Sequence, residues 1–222
     1  MKVWVFRVSL VWMILLVSES CQHFQFLKQN TADNPDREII LFDGESLEGW
    51  KITSWKYRGE VKVEDGMLRL GKGHECTGVT WKKEFPEINY EVTLDAKRVK
   101  GSDFFCGMTF PVENEFCTLI VGGWGGSLVG LSSIDGFDAS ENATSTHRNF
   151  DNDRWYHIRL RVTEHAIEAW IDEDKVVDFN TEDHRLSVRM EVMWSRPFGV
   201  CTWRTSGAFR DIKVRYPVES ET

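Results

Sequence analysis

Three carboxylates stand out because strand-like apolar segments fix where they lie. Asp103 directly precedes the apolar run FFCGMTFPV, Asp135 closes a glycine-rich stretch, and Glu191 alternates with apolar neighbours in RMEVMW. Cleavage of a glycosidic bond usually needs two carboxyl groups, one as acid and one as base or nucleophile. All three are therefore candidate catalytic residues. The alternative for each is a solvated surface charge or a turn cap.

Trp124 is a candidate ligand platform, because the stretch GGWGGSLVGLSSIDG flanks it with glycine pairs. A phosphate-binding loop would need a helix after the glycines and a lysine or helix dipole, and GGWGGS offers neither. A linker would not sit between the strand-like runs CTLIV and LVGL. We therefore expect the glycines inside a sheet, where a ligand approaches closely. The flat apolar face of a sugar ring stacks well on an indole; a core tryptophan is the alternative.

Further candidate binding residues lie in the last third of the chain. Trp203 is a second aromatic candidate, and Arg204 and Arg196, each close to a tryptophan in sequence, are suited to holding hydroxyl groups or a developing oxyanion. His147, in the polar loop SIDGFDASENATSTHRNF, is either a residue at the rim of the site or a solvated loop histidine.

The composition limits the class of partner. The formal net charge is -8 and the pI is near 5.3, whereas nucleic acids and anionic membranes need a basic face. Ten tryptophans and fourteen phenylalanines are unusual for 222 residues. We expect a neutral saccharide ligand, no nucleic acid, and no membrane contact other than a lipid anchor.

The N-terminus predicts export. Residues 1–20 have basic residues before a short apolar stretch, as in a secretory signal peptide. Cys21 follows where a bacterial lipoprotein carries its lipid, although cleavage without lipidation is at least as well supported. Residues 21–38 are expected to form a polar tether, 39–217 a single domain and 218–222 a tail. The mature protein would be periplasmic, on the cell surface or extracellular.

Alternating apolar and polar residues predict an all-β fold. In NYEVTLDAKR the apolar residues fall on one face, and WYHIRLRVTEHAIEAWIDEDKVVDF repeats the pattern over three strands. EVKVEDGMLRLG reads as a hairpin that turns at Asp65-Gly66. No stretch of helical length has apolar residues at the 3.6-residue spacing of a helix together with capping residues at its ends. We expect two antiparallel sheets packed as a sandwich.

The cysteines suggest neither a metal site nor a disulfide framework. Cys76, Cys106, Cys117 and Cys201 belong to the mature domain, without a CxxC pair or a His/Cys cluster at metal spacing. Buried free thiols are favoured over disulfides for Cys106 and Cys117. No metal and no cofactor is expected.

Three segments resemble the 3-keto-disaccharide hydrolase-like domain family. LFDGESLEGW is similar to its opening signature, DRWYHIRLRV with AWIDEDKVV to its late hairpin, and AFRDIKVRY to its closing strand, so the resemblance covers about 39–216. It implies a concanavalin A-like jelly roll in an exported bacterial protein that acts on saccharides. Elimination at a 3-keto sugar, which needs a base beside an oxyanion-stabilising group, then joins hydrolysis as a candidate reaction.

The resemblance does not carry over the family's catalytic residues. FCGMTFP lacks the asparagine and arginine usual at that position, and LIVGGWGG lacks the usual glutamate and glutamine. Two main functions therefore remain: a hydrolase or lyase that cleaves (3-keto) saccharides, and a non-catalytic carbohydrate-binding or cell-surface module. A structural envelope protein without a ligand would require Trp124 to be buried.

Overall fold

The computed structural model describes residues 37–217, which are almost entirely β. The signal peptide, Cys21, nearly all of the predicted tether and the tail lie outside the described residues. The first strand begins at Arg37, two residues before the predicted start of the domain. The strands are β1 Arg37–Ile40, β2 Trp50–Ile52, β3 Val61–Glu64, β4 Met67–Leu70, β5 Cys76–Trp81, β6 Tyr90–Lys100, β7 Cys106–Val112, β8 Glu115–Gly123, β9 Leu128–Ser132, β10 Thr146–His147, β11 Tyr156–Val162, β12 Ala166–Ile171, β13 Asp174–Asn180, β14 Gly199–Trp203 and β15 Ser206–Tyr216.

Two antiparallel sheets confirm the predicted sandwich. The first sheet has the order β13-β12-β11-β6-β15-β4-β3, with β1 also pairing to β15; the second has the order β10-β9-β8-β7-β14-β5-β2. A single 3₁₀ helix in the described part of the chain, Met190–Ser195, lies between β13 and β14 in sequence. Within residues 37–217, no helix is long and apolar enough to span a membrane.

The core between the sheets follows the alternation seen in the sequence. Tyr90, Val92, Leu94 and Ala96 on β6 are all fully buried, and β11, β12 and β13 form the predicted three-stranded meander. The hairpin between β3 and β4 turns at Asp65 and Gly66, both with positive φ, as predicted.

A second apolar cluster lies apart from the main core. It contains Phe104, Ile120 and Val192 with Trp55, Cys76, Leu128, Ala139 and Cys201. On β8, Leu119 joins the main core and its neighbour Ile120 joins the second cluster, whereas on β7 Cys106 and Met108 join the main core. Because adjacent residues of a strand point to opposite faces, the second cluster covers the outer face of the second sheet. This arrangement explains why β7 and β8 read as apolar on both faces.

The glycine-rich stretch differs from the prediction. Gly122 and Gly123 end β8, but Trp124, Gly125 and Gly126 belong to the turn that leads into β9. All three turn residues have positive φ, at 45°, 89° and 111°. Gly125 and Gly126 therefore serve a tight turn, whereas Gly122 and Gly123 lie at the end of a strand as expected.

The four cysteines of the domain are buried free thiols, as favoured for Cys106 and Cys117. Burial raises the pKa of Cys117 to about 12 and raises that of Cys106 further. These thiols therefore pack as small apolar groups and stay protonated at neutral pH.

Candidate functional site

A cavity of about 240 Å³ on the outer face of the second sheet brings four of the predicted site residues together. Asp103 reaches it from the loop before β7, Trp124 from the β8–β9 turn, Trp203 from the end of β14, and Glu191 from the 3₁₀ helix. The remaining lining residues are Phe104, Ile120, Ser132, Arg189 and Val192.

The floor of the cavity is apolar because the second cluster supplies it. Phe104 and Trp203 stack with ring centroids 6.4 Å apart and an interplanar angle of 28°. Gly107 makes room for this stack, since a Cβ there would lie 2.9 Å from the Phe104 ring. A flat aromatic floor of this kind suits the apolar face of a ring-shaped ligand.

Asp103 is a half-buried carboxyl group held in place by the backbone around it. Its Oδ1 accepts a hydrogen bond from the Phe104 amide at 2.8 Å, and its own amide donates to Thr205 Oγ1 at 3.1 Å. Burial raises the pKa of Asp103, and this outweighs the amides of Phe104 and Trp124 and the positive charge of Arg204, which lower it. A raised pKa suits a proton donor.

Glu191 experiences the opposite environment. Arg189 donates two hydrogen bonds to the Glu191 carboxylate, from Nη2 at 2.8 Å and from Nε at 3.2 Å. Its guanidinium also contacts Asp138. The paired guanidinium is the main reason that the pKa of Glu191 lies below its usual value. Glu191 is therefore ionised and suited to accept a proton.

The 3₁₀ helix that carries Glu191 is fixed to the sheet at both ends. The Trp55 indole donates to the backbone oxygen of Glu191 at 2.9 Å, and Thr80 Oγ1 donates to the backbone oxygen of Trp194 at 3.0 Å. Val192 and Ser195 are buried beneath the helix. These contacts hold the Glu191 backbone in a defined position at the cavity wall.

Trp124 is not a core residue, because 43% of its surface is exposed. Trp203 is partly buried, and the Arg204 guanidinium lies over its ring, 5.4 Å from the centroid. Arg204 itself donates to the His74 backbone oxygen at 2.8 Å. It flanks the cavity behind Trp203 without lining it.

Besides Arg204, three more predicted residues lie outside the cavity. The Asp135 carboxylate accepts a hydrogen bond from the Arg185 amide at 2.9 Å and contacts His184 Nδ1 at 2.7 Å, so it ties two turns together. Arg196 donates to the Met193 backbone oxygen and lies over the Phe116 ring, 5.4 Å from its centroid.

His147 is exposed on β10, where its Nδ1 lies 3.1 Å from Ser127 Oγ. It neighbours the turn that carries Trp124 but does not line the cavity. His147 is therefore a solvated residue beside the turn and is not part of the cavity wall.

Sequence reasoning missed Arg189 and Ser132. Arg189 lies two residues before Glu191, which was its only signal. Ser132 ends β9, and its buried Oγ has no hydrogen-bond partner among the described residues. Because buried hydroxyls are normally paired, Ser132 is an exception among the residues around the cavity.

Within residues 37–217, no three His, Cys, Asp or Glu side chains gather as they would around a metal ion. Asp43 and Asp211, near the two ends of the domain, line the same depression. Arg210 and Lys213 also line it, and their positive charges disfavour a metal ion there. Asp43 Oδ1 accepts two backbone amides of its own turn.

The two packed antiparallel sheets form a jelly roll. The fold is similar to solved structures of this kind at low sequence identity. A prokaryotic β-1,3-1,4-glucanase (lichenase) derived from a mouse hindgut metagenome matches with a TM-score of 0.53 and 10% identity, covering 83% of this chain and 100% of the other. The Crh5 transglycosylase matches with a TM-score of 0.56 and 11% identity, covering 84% and 85%.

A third similar structure is the carbohydrate-binding module CBM66 from Bacillus subtilis, with a TM-score of 0.51 and 14% identity over 74% of this chain and 94% of the module. No curated protein matches the sequence. The sequence model of the protein family described as 3-keto-alpha-glucoside-1,2-lyase-like domain matches residues 38–215. The chain belongs to this family, as its sequence motifs predicted, and its function is carbohydrate-related.

Proposed function

We propose that the protein cleaves the glycosidic bond of a 3-keto saccharide, with Asp103 as the acid and Glu191 as the base. One observation carries the proposal: two carboxyl groups line one cavity, and their surroundings shift their pKa values in opposite directions. Such a pair divides into a proton donor and a proton acceptor. The family match and the tryptophans support a sugar as the ligand.

The two groups suffice for an elimination. The carbonyl at C3 acidifies the hydrogen on C2, which the Glu191 carboxylate removes, and the electron pair of that bond delocalises into an enolate. The enolate then re-forms the ketone with a C1–C2 double bond while the C1–O bond breaks. Asp103 gives its proton to the departing oxygen.

Hydrolysis would use the same pair, with Glu191 activating a water or attacking C1 directly. The product distinguishes the two reactions: elimination leaves an unsaturated 3-keto sugar, whereas hydrolysis leaves a saturated one. NMR of the products of a 3-keto-α-glucoside would identify which forms.

Matched amide variants test the assignment. Asp103→Asn and Glu191→Gln should each lower turnover of a 3-keto-α-glucoside by about a hundredfold or more, which is typical of a positioned acid or base. Asp135→Asn is the control, because that carboxylate lies outside the cavity and should keep wild-type turnover. Wild-type turnover in both cavity variants would show that neither residue is catalytic.

A non-catalytic carbohydrate-binding module is the second candidate function. The observation that favours it is that Arg189 already occupies both oxygens of Glu191, while β8 is apolar where relatives carry polar residues. This function predicts saccharide binding without any product, for the wild type and both amide variants alike.

We also propose that the protein works outside the cytoplasm, because residues 1–20 have the sequence of a secretory signal peptide. Mass spectrometry of the protein purified from its own cells should show an N-terminus at or near Cys21. An intact Met1 would contradict export by this route.

A further inference from the structure

Arg189 is the one cation among the described residues that line the cavity, and it lies beside the proposed base. Removal of the hydrogen on C2 leaves a negative charge on the oxygen at C3. An enzyme stabilises such a charge with donors that already face the place where it develops. Arg196 and Arg204, which the sequence suggested for an oxyanion, both lie outside the cavity.

The guanidinium of Arg189 has hydrogen-bond donors left for a ligand. Of the five N–H groups of an arginine, Nε and one on Nη2 serve Glu191, and one on Nη1 serves Asp138. Each Nη atom therefore keeps one N–H that has no partner among residues 37–217. Because Arg189 lines the cavity and 41% of its side chain is exposed, a ligand there can reach these groups.

Asp138 anchors the guanidinium independently of the proposed base. Its side chain is only 16% exposed, and its Oδ1 accepts hydrogen bonds from the amide and the hydroxyl of Ser140 at 3.0 and 2.7 Å. The Asn142 side chain donates to the backbone oxygens of Asp138 and Leu131, at 2.8 and 2.7 Å, which fixes the loop between β9 and β10. Arg189 therefore keeps one anchored carboxylate even when the base is protonated.

We infer that Arg189 is a catalytic residue that stabilises the enolate, and that Asp138 positions it. As the C2–H bond breaks, the proton passes to Glu191 and the electron pair moves through the C2–C3 bond to the oxygen on C3. Glu191 becomes neutral in this step, so its pairing with Arg189 weakens while the enolate oxygen gains the charge that a guanidinium binds. This inference rests on the proposed function in its elimination form.

Exchange of the C2 hydrogen with solvent separates this step from cleavage. In the Asp103→Asn protein, where the departing oxygen lacks its acid, NMR in D₂O would follow deuterium uptake at C2 of methyl 3-keto-α-glucoside. Arg189→Gln in this background should lower the plateau exchange rate by about a hundredfold or more, the usual cost of losing an oxyanion donor. Arg185→Gln is the matched control and should leave the rate unchanged, because Arg185 is exposed on the same segment outside the cavity.

The positioning role of Asp138 has its own variant. Asp138→Asn should lower the exchange rate by roughly tenfold, as expected when a hydrogen bond between charged groups is lost. Added to Arg189→Gln, the same change should have little further effect, because Asp138 acts through Arg189. Equal losses in both backgrounds would show that Asp138 does not act through the guanidinium.

The pH dependence of exchange separates catalysis from an effect on the base alone. If Arg189 only lowers the pKa of Glu191, exchange by Arg189→Gln returns to the parent rate once the pH ionises Glu191; the enolate role is then wrong and the proposed function stands. Cleavage by the wild type without exchange by Asp103→Asn has the same meaning. If the wild type neither exchanges C2 nor cleaves the glycoside, the proposed function is wrong and the inference falls with it. Melting temperatures close to that of the parent protein exclude unfolding as the cause.

Discussion

Replacing Trp124 by alanine should weaken saccharide binding, at a smaller cost in stability than that of truncating a fully buried tryptophan. A tryptophan side chain has about 150 to 250 Å² of surface, and 43% of Trp124 is exposed. Roughly 65 to 110 Å² is therefore open to a ligand, and one sugar face covers about half to all of it. At about 25 cal/mol per Å² the loss is about 0.8 to 2.7 kcal/mol, or about four- to a hundredfold in Kd.

The cost to folding is limited by the same geometry. A fully buried tryptophan contributes about 3 to 5 kcal/mol to stability, but Trp124 lies in a turn with almost half of its surface in water. We expect the free energy of unfolding to fall by at most about 3 kcal/mol, because an unfolded chain already buries part of this surface.

Calorimetry with methyl 3-keto-α-glucoside and urea unfolding of the same preparations would measure both quantities. Trp170→Ala is the matched control, because Trp170 lies on β12 in the opposite sheet and should leave Kd unchanged. A Trp124→Ala protein that unfolds as easily as a core variant but binds sugar normally would refute the platform. Valine at Gly125 or Gly126 is uninformative, since both have positive φ and any side chain would strain the turn.

Three further results are expected. Arg189→Gln should raise the pKa of Glu191, because the guanidinium is the main cause of its lowering, so the acid limb of the pH–rate profile should move to higher pH; an unmoved limb would separate Glu191 from catalysis. Phe105→Ala should lower the free energy of unfolding by about 3 to 5 kcal/mol in urea titrations, because Phe105 is fully buried in the core; a loss below 1 kcal/mol would be inconsistent with that packing. Cys117 should resist iodoacetamide in the folded protein and react only after denaturation, as mass spectrometry would show, whereas rapid labelling of native protein would contradict its burial.

The fold was predictable because period-two alternation records which side of a strand faces the core. Val92 and Leu94 alternate with polar residues along β6, and that pattern fixed both the strand and its buried face. The doubly apolar β7 and β8 were harder to interpret, since one face packs in the core and the other carries the second apolar cluster. Only the three-dimensional arrangement shows that this outer cluster floors a cavity.

The site was predictable only in part, because sequence shows residue type but not convergence. Asp103, Glu191 and Trp124 are far apart in the chain, and they meet because a loop, a 3₁₀ helix and a hairpin turn end at the same face of one sheet. Asp135 has the same chemistry as Asp103, but the Arg185 amide and the His184 side chain of a distant segment hold it in a turn. The role of Arg189 depends on a side-chain rotamer that no sequence pattern specifies.

The pH dependence of kcat/KM on a 3-keto-α-glucoside tests the acid–base pair most directly. The profile should be bell-shaped, rising as Glu191 loses its proton and falling as Asp103 loses its own, because kcat/KM reports the essential groups of the free enzyme. The residual activity of Glu191→Gln should lack the acid limb, and that of Asp103→Asn should lack the alkaline limb. Two variants that keep the full wild-type bell, with turnover equal to that of Asp135→Asn, would contradict the assignment of these two carboxyl groups.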